Sequence, residues 1–152
     1  IYTAPMAKNQ VPAVEGLFTM DDEPRLIGGR GRTQGSYFFP KNMGGNDPAC
    51  VNDDDREEVL LSNTGKVWSF TTASYPPALP YVITTEPFEP FVIAAVHLEP
   101  ENLVVCGQMM PGITVDDMEV GMDVELTLDT LYEDDDNDYV VWKWQPATRS
   151  EA

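Results

Sequence analysis

The apolar positions in the last two thirds of the chain follow the short periods of β-strands. Residues 123–131 alternate between apolar side chains and Glu, Thr or Asp, which is typical of a strand with one buried face. Residues 91–98 and 103–109 are rich in β-branched side chains, and the Glu-Pro-Glu-Asn between them predicts a hairpin. The other predicted strands are residues 59–61 continuing into 66–74 as one long or bent strand, and residues 139–144.

Five strands of these lengths predict a mainly β fold, a small Greek-key barrel of the OB type. A single helical turn is expected near residues 115–118, before Gly121. Residues 75–90 contain five prolines, and because proline has no N–H for a ladder hydrogen bond, this segment cannot hold a central position in a sheet. A β-sandwich is the alternative fold.

The first 55 residues lack this strand pattern. Residues 1–13 are polar and predict an arm that lies on a partner or stays mobile, and residues 14–20 predict a short helix that ends before Pro24. Residues 25–55 are rich in glycine and predict a small knob of two hairpins, which has too few apolar side chains for a core of its own. The predicted organisation is an arm with a short helix (1–24), the knob (25–55), the barrel (56–146) and a tail (147–152).

The charge of the chain narrows the choice of partners. Against 26 Asp and Glu there are only 9 Lys and Arg, so the formal net charge is −17. Nucleic-acid binding needs a basic surface that releases counterions from the phosphates, so this OB barrel is not expected to bind nucleic acid. The acids lie in runs at residues 21–23, 53–58 and 133–138. Such runs are typical of solvated loops, and these lack the ligand spacing of an EF-hand.

Few residue types in the chain could carry chemistry. His97 is the only histidine and has no companions for a triad or a metal cluster. The two cysteines, Cys50 and Cys106, are too few for a disulfide framework, and acidic neighbours weaken Cys50 as a nucleophile. The sequence therefore predicts no catalytic residue. It also contains no apolar run long enough to span a membrane and no secretion signal, which predicts a cytoplasmic protein without a membrane partner.

Five features in order along the chain resemble one family. They are the Gly-rich knob, the strand Thr-Gly-Lys-Val-Trp-Ser-Phe-Thr at 64–71, the Pro-rich link, the hairpin over 91–109 and Gly-Met-Asp-Val-Glu at 121–125. From about residue 14 to 146, the chain resembles the proteins in which a rubredoxin-like zinc ribbon precedes an OB fold and which partner thiolase-superfamily enzymes. These partners are thiolases and sterol-carrier-type thiolase-like aldolases.

The resemblance implies a non-catalytic accessory subunit in a complex that acts on acyl-CoA substrates. The reacting side chains would belong to the thiolase-type partner, while the OB subunit stabilises that partner and helps to shape the acyl-CoA channel. Because thiolases are commonly dimers, the implied assembly is a hetero-oligomer of two plus two subunits. The acyl group and the choice between thiolysis, condensation and retro-aldol cleavage stay open. A stand-alone OB module that binds acyl-CoA or another small ligand is the alternative.

The chain departs from that family at the zinc ribbon. Family members place two Cys-x-x-Cys pairs in the knob, because four thiolates bind zinc tightly enough to order a coreless loop. Here the first pair falls on Gly31 and Gln34, and the second keeps Cys50 but has Asp53 in place of the last cysteine. We therefore expect a ribbon that has lost its zinc, with no tightly bound cofactor. Its order would come from packing of the aromatic run Tyr37, Phe38 and Phe39 against the barrel or the partner.

Two further sets of residues are expected to meet the ligand or the partner. Arg30 and Arg32 belong to the one cationic stretch of the chain and are predicted to contact the phosphates of CoA. Ion pairs with acids of this chain or of the partner are the alternative for both. Large aromatic side chains near a Pro-rich link are typical of permanent protein interfaces. The predicted interface residues are Phe38, Phe39, Tyr75, Pro76 and Tyr81.

Overall fold

The computed structural model describes residues 8–43, 48 and 55–148, and almost all of its regular structure is β. A single 3₁₀ turn at Val115–Asp117 confirms the predicted helical turn, and the Thr114 and Asp117 side chains cap it reciprocally. The strands are β1 (Asn9–Pro12), β2 (Ile27–Gly31), β3 (Tyr37–Phe38), β4 (Arg56–Leu60), β5 (Thr64–Ala73), β6 (Phe91–Leu98), β7 (Leu103–Gln108), β8 (Asp123–Glu133) and β9 (Asn137–Pro146).

The larger sheet curls into a partly open barrel. Its strand order is β1-β9-β8-β5-β6-β7, and the chain leaving β7 returns to β9 through a parallel bridge between Met109 and Trp144. There the Met110 N–H donates to the Trp144 carbonyl at 2.9 Å. Strands β5 to β9 therefore form the five-stranded Greek-key barrel of an OB fold, which confirms the predicted fold class.

The barrel encloses an apolar core that the alternation of its strands supplies. Every second residue of β6 is buried, because successive side chains of a strand point to opposite faces. Full burial of each Val, Leu or Met stabilises the fold by about 1.5–3 kcal/mol. The core residues of the barrel include Val67, Val92, Ala94, Val96, Leu98, Val105, Met109, Val124, Leu126 and Trp144.

The knob forms a three-stranded antiparallel sheet in the order β3-β2-β4. Strand β4 belongs to the segment assigned to the barrel from sequence, but it pairs with β2 along its whole length instead. The knob is fastened to the barrel because Leu26 and Leu61, which flank β2 and β4, are fully buried in the same core cluster as the barrel residues. The domain boundaries themselves stay a prediction.

The N-terminal segment differs from both expectations for it. Residues 14–20 form bends and a turn, so the predicted short helix is wrong. Gly16 adopts a φ of +85°, a conformation outside the right-handed helix, and Phe18 forms an antiparallel bridge with Leu26. The described part of the predicted arm is also ordered on its own chain, since β1 pairs in parallel with β9. Residues 1–7 lie outside the described part.

An acidic hairpin at residues 133–138 joins β8 to β9. The Asp134 carboxylate accepts hydrogen bonds from the backbone N–H groups of Asp136 and Asn137 at 2.9 and 2.7 Å and from the Tyr139 hydroxyl at 2.8 Å. The bond from Tyr139, followed by the two backbone bonds, holds the pKa of Asp134 below its usual value. Lys8 bonds to Glu133 at 3.0 Å, which lowers the pKa of Glu133 and raises that of Lys8. These bonds fix the turn and favour the charged forms of Glu133 and Asp134.

Close contact between β7 and β9 requires a glycine at position 107. A Cβ added to Gly107 would lie 2.3 Å from Cζ3 of Trp142 and 2.9 Å from Nε1 of Trp144. Because both indoles are packed against the core, neither can move away cheaply.

We expect Gly107→Val to lower the free energy of unfolding by about 1–3 kcal/mol, since overpacking forces the two indoles or the strands apart. Cys106→Val is the matched control, because Cys106 is the adjacent, exposed residue of the same strand and should change stability by less than about 0.5 kcal/mol. Urea unfolding followed by far-UV circular dichroism measures both. Equal stabilities of the two variants would contradict this packing.

Candidate functional site

The predicted CoA-contacting arginines lie on the small sheet and share one carboxylate. Arg30 Nη1 is 3.3 Å from Glu57 Oε1, and Arg32 Nε is 3.7 Å from Glu57 Oε2. The Arg30 guanidinium also lies over the Tyr37 ring, 5.7 Å from its centroid. Lys41, in the same cationic stretch, pairs with Glu58. Ion pairing within the chain, the alternative set out above, is thus present, and the CoA contact stays a prediction.

The structure describes two of the four positions at which the family resemblance places zinc ligands. Gly31 is buried at the end of β2, and Gln34 is exposed in the turn before β3. Cys50 and Asp53 lie outside the described residues. The two visible positions do not fit zinc, because Gly31 offers no side-chain ligand and Gln34 offers no thiolate. Within residues 8–43 and 55–148, no three His, Cys, Asp or Glu side chains group as a metal site would require.

The aromatic run of the knob fastens the two sheets together. Tyr37 and Phe39 pack against the core cluster, as expected, and the Phe39 ring meets Trp142 edge to face with centroids 5.8 Å apart. Phe38 is only 4% exposed, and its ring fills the space above Gly29. The position of Phe38 does not fit the interface role predicted for it, because its side chain is buried against the small sheet and a partner could not reach it.

The Pro-rich link between β5 and β6 is the most apolar exposed segment of the described chain. Leu79 is 90% and Tyr75 is 78% exposed, and Ile83 is also exposed. Pro76, another predicted interface residue, is exposed as well. The loop is held at Tyr81, whose ring stacks on Phe91 with centroids 5.7 Å apart. Tyr75 and Pro76 are thus placed where a partner could reach them, while Tyr81 anchors the loop that carries them.

A groove of about 500 Å³ lies between this loop and strands β7 to β9. Its lining includes Val82 of the loop and Val141 and Trp142 of β9. Lys143 also lines the groove; it is only 9% exposed, and its ammonium is 2.6 Å from Asp129 Oδ2. The groove therefore presents apolar surface with one neutralised charge pair in its wall.

The sequence did not predict this groove, although two of its lining residues, Tyr81 and Trp142, had been singled out for other reasons. The spacing of Trp142 and Trp144 indicated a shared sheet face, and both rings are indeed inward. Nothing in the local pattern showed that the loop would cover Lys143, which lies on the opposite face of β9. The ion pair with Asp129 offers one signal, since the two residues lie on the strands predicted on either side of an acidic turn.

Other candidate residues have structural surroundings. His97 is half-buried, and its Nε2 lies 3.0 Å from Oδ1 of Asn102 in the β6–β7 hairpin. Cys106 is an exposed free thiol on β7. None of the helical structure in the described residues is long and apolar enough to cross a bilayer.

Comparison with known proteins finds a matching domain family, a relative in sequence and a similar solved structure. Residues 58–129 match the family described as the C-terminal OB-fold domain of ChsH2. A DUF35 domain-containing scaffold protein of Methanocaldococcus jannaschii is 29% identical over 120 residues, which is 79% of each chain. A chain in the solved structure of the Ltp2-ChsH2(DUF35) aldolase superposes with a TM-score of 0.59 at 25% identity, covering 82% of this chain and 86% of that one. Over residues 58–129 the chain is therefore similar to the C-terminal OB-fold domain of ChsH2.

Proposed function

We propose that this chain is a non-catalytic accessory subunit of a thiolase-type enzyme that acts on acyl-CoA substrates. The observation that carries the proposal is the exposed apolar surface of the Pro-rich loop, where Tyr75 and Leu79 stand out from an otherwise acidic protein. Large apolar side chains left in water on a rigidly anchored loop are typical of a surface that a partner covers.

The relatives support an accessory role rather than an independent enzyme. One is described as a scaffold protein, and another forms part of an aldolase whose name joins ChsH2 with a second component, Ltp2. In a complex of this kind the thiolase-type partner would supply the nucleophile or base. The OB subunit would stabilise that partner and contribute to the wall of the acyl-CoA channel, in a hetero-oligomer of two plus two subunits.

A second candidate, a stand-alone module that binds acyl-CoA or another small ligand, is favoured by the groove beside the loop. Its volume of about 500 Å³ lies within the usual range of small-ligand sites. Purified chain that bound an acyl-CoA without any partner would support this alternative.

The first prediction concerns assembly. A tagged chain purified from its native host should bring down a thiolase-family protein in fixed stoichiometry, identified by mass spectrometry. Tyr75→Ser with Leu79→Ser should weaken that complex by about 30-fold or more, since interface side chains of this size contribute about 2 kcal/mol or more when buried.

Val104→Ser with Val120→Ser is the matched control, because it removes two exposed apolar side chains elsewhere on the barrel. This control should bind the partner as the wild type does. A wild-type chain that emerges alone, or a loop variant that binds as tightly as the control, would contradict the proposal.

The second prediction concerns CoA recognition at the small sheet. If Arg30 and Arg32 contact the CoA phosphates, Arg30→Gln with Arg32→Gln should raise the KM of the assembled complex for acyl-CoA while leaving kcat and assembly unchanged. Lys66→Gln serves as the control, because Lys66 pairs with Asp123 on the barrel. A KM equal to that of the wild type would remove the arginines from the CoA site and leave Glu57 as their partner.

The third prediction concerns zinc. The complete, purified chain should contain well below one zinc per chain by elemental analysis, because three of the four ribbon positions, Gly31, Gln34 and Asp53, offer no thiolate. Chelator treatment should leave its circular dichroism and unfolding midpoint unchanged. About one zinc per chain, together with unfolding by chelator, would show that the knob holds a metal after all.

A further inference from the structure

Among residues 8–43 and 55–148, one edge of β9 is paired at both ends and has no backbone partner in the middle. Strand β1 covers it as far as Pro12, which lies opposite Val140, and the Ala13 N–H donates to the Val140 carbonyl at 2.8 Å. The next bridge on this edge is that of Met109 to Trp144. Residues 141–143 lie between the two pairings, and the groove opens there.

The mouth of the groove is apolar and accessible. Val14, Val82 and Tyr132 line it, and all three side chains are exposed. Inside, the ammonium of Lys143 is neutralised by Asp129. An apolar side chain that entered would be taken out of water without leaving a buried charge unpaired.

The rim of the groove is strongly acidic. Tyr132 runs directly into the hairpin at 133–138, and Val14 is followed by the exposed Glu15. These two segments carry four exposed carboxylates next to the lining residues, those of Glu15, Asp134, Asp135 and Asp136. Glu133, which pairs with Lys8, and Asp138 lie on the face of the hairpin opposite Tyr132. Because the three bonds to Asp134 hold the turn in shape, the neighbouring acids project from a fixed position.

Charge selects one kind of occupant for this surface. A second copy of the chain would bring a net charge of −17 against another of −17, and nucleic acid would be repelled in the same way. A polypeptide segment with Lys or Arg beside an apolar side chain complements both the rim and the groove. An extended segment also suits the open stretch of β9, where backbone groups between the two pairings can meet it.

We propose that the groove and the acidic hairpin form one docking surface for an extended basic segment of the partner subunit, with an apolar side chain in the groove and Lys or Arg against the hairpin. The proposal rests on the proposed function for the identity of the partner. The chemistry of the surface can be tested on the isolated chain.

The probe is the acetylated, amidated peptide Lys-Lys-Val-Leu-Val-Lys-Lys, titrated into the full chain by calorimetry at low ionic strength. Binding should weaken steeply with added salt, as expected for exposed charge pairs. The peptide Lys-Lys-Ser-Ser-Ser-Lys-Lys has the same charge without the apolar centre and should bind about tenfold more weakly or worse.

Two variants separate the rim from the groove. Glu15→Gln with Asp135→Asn and Asp136→Asn removes three rim charges and should weaken peptide binding about tenfold, from three exposed ion pairs. Val14→Ser with Val82→Ser removes apolar contact at the mouth and should also weaken binding about tenfold. Circular dichroism checks that each variant folds.

Each variant has a matched control. Asp22→Asn with Glu23→Gln and Glu99→Gln removes three exposed acids elsewhere, and Val115→Ser with Val120→Ser removes two exposed valines elsewhere. Both controls should bind within about twofold of the wild type.

Losses as large in the controls as in the rim and groove variants would overturn the proposal, because they would show attraction to net charge alone. Equal binding of the serine peptide would overturn it as well. A chain that sediments as a dimer and becomes a monomer with Val14→Ser and Val82→Ser would show that a second copy occupies the groove.

Failure of this inference can be distinguished from failure of the proposed function. Peptide binding as expected, without any thiolase-type partner, would contradict only the proposed function. A stable complex with a thiolase-type partner, together with peptide binding that the rim and groove variants leave unchanged, would contradict only this inference.

Discussion

The parallel contact between Met109–Met110 and Trp144 is the constraint on which the rest of the structure depends. It joins the end of β7 to β9 and so converts a curled sheet into a barrel with a fully buried Trp144. The same closure sets Trp142 against Gly107, and Phe39 of the small sheet packs on that indole. Because the groove opens where the two strands separate from this contact, the closure also positions the candidate binding surface.

The small sheet shows how a coreless segment is ordered by its neighbours. Leu26 and Leu61 anchor the small sheet by packing in the barrel core. Arg25 Nε donates to the Leu61 carbonyl at 2.8 Å and so links the two flanks of the sheet. Packing among the described residues therefore holds the small sheet in place. Ion pairs engage most of the basic side chains in the described part of the chain. The Pro-rich loop exposes four large apolar side chains, those of Tyr75, Leu79, Val82 and Ile83.

Local sequence pattern predicted the barrel strands well because side-chain alternation is a property of neighbouring residues. It failed for residues 59–61, which were predicted to continue into 66–74 as one strand. Strand β4 is instead separate from β5 and pairs with β2, through contacts about 30 residues apart along the chain. It failed for residues 14–20, where the left-handed Gly16 and the bridge of Phe18 override a weak helical preference. The proline content of residues 75–90 excluded a central strand and so indicated an interface loop that includes Tyr75. The groove could not be predicted in this way, because it forms where β7, β9, the loop and the residues after β1 come together.

The most direct measurement of the central claim is turnover of an acyl-CoA substrate by the separately purified chain, the separately purified thiolase-type partner and their mixture. The account predicts no turnover by the chain alone, and activity that appears or rises severalfold only when the two assemble. Turnover by the chain alone, or a partner that is equally active and equally stable without it, would contradict the account.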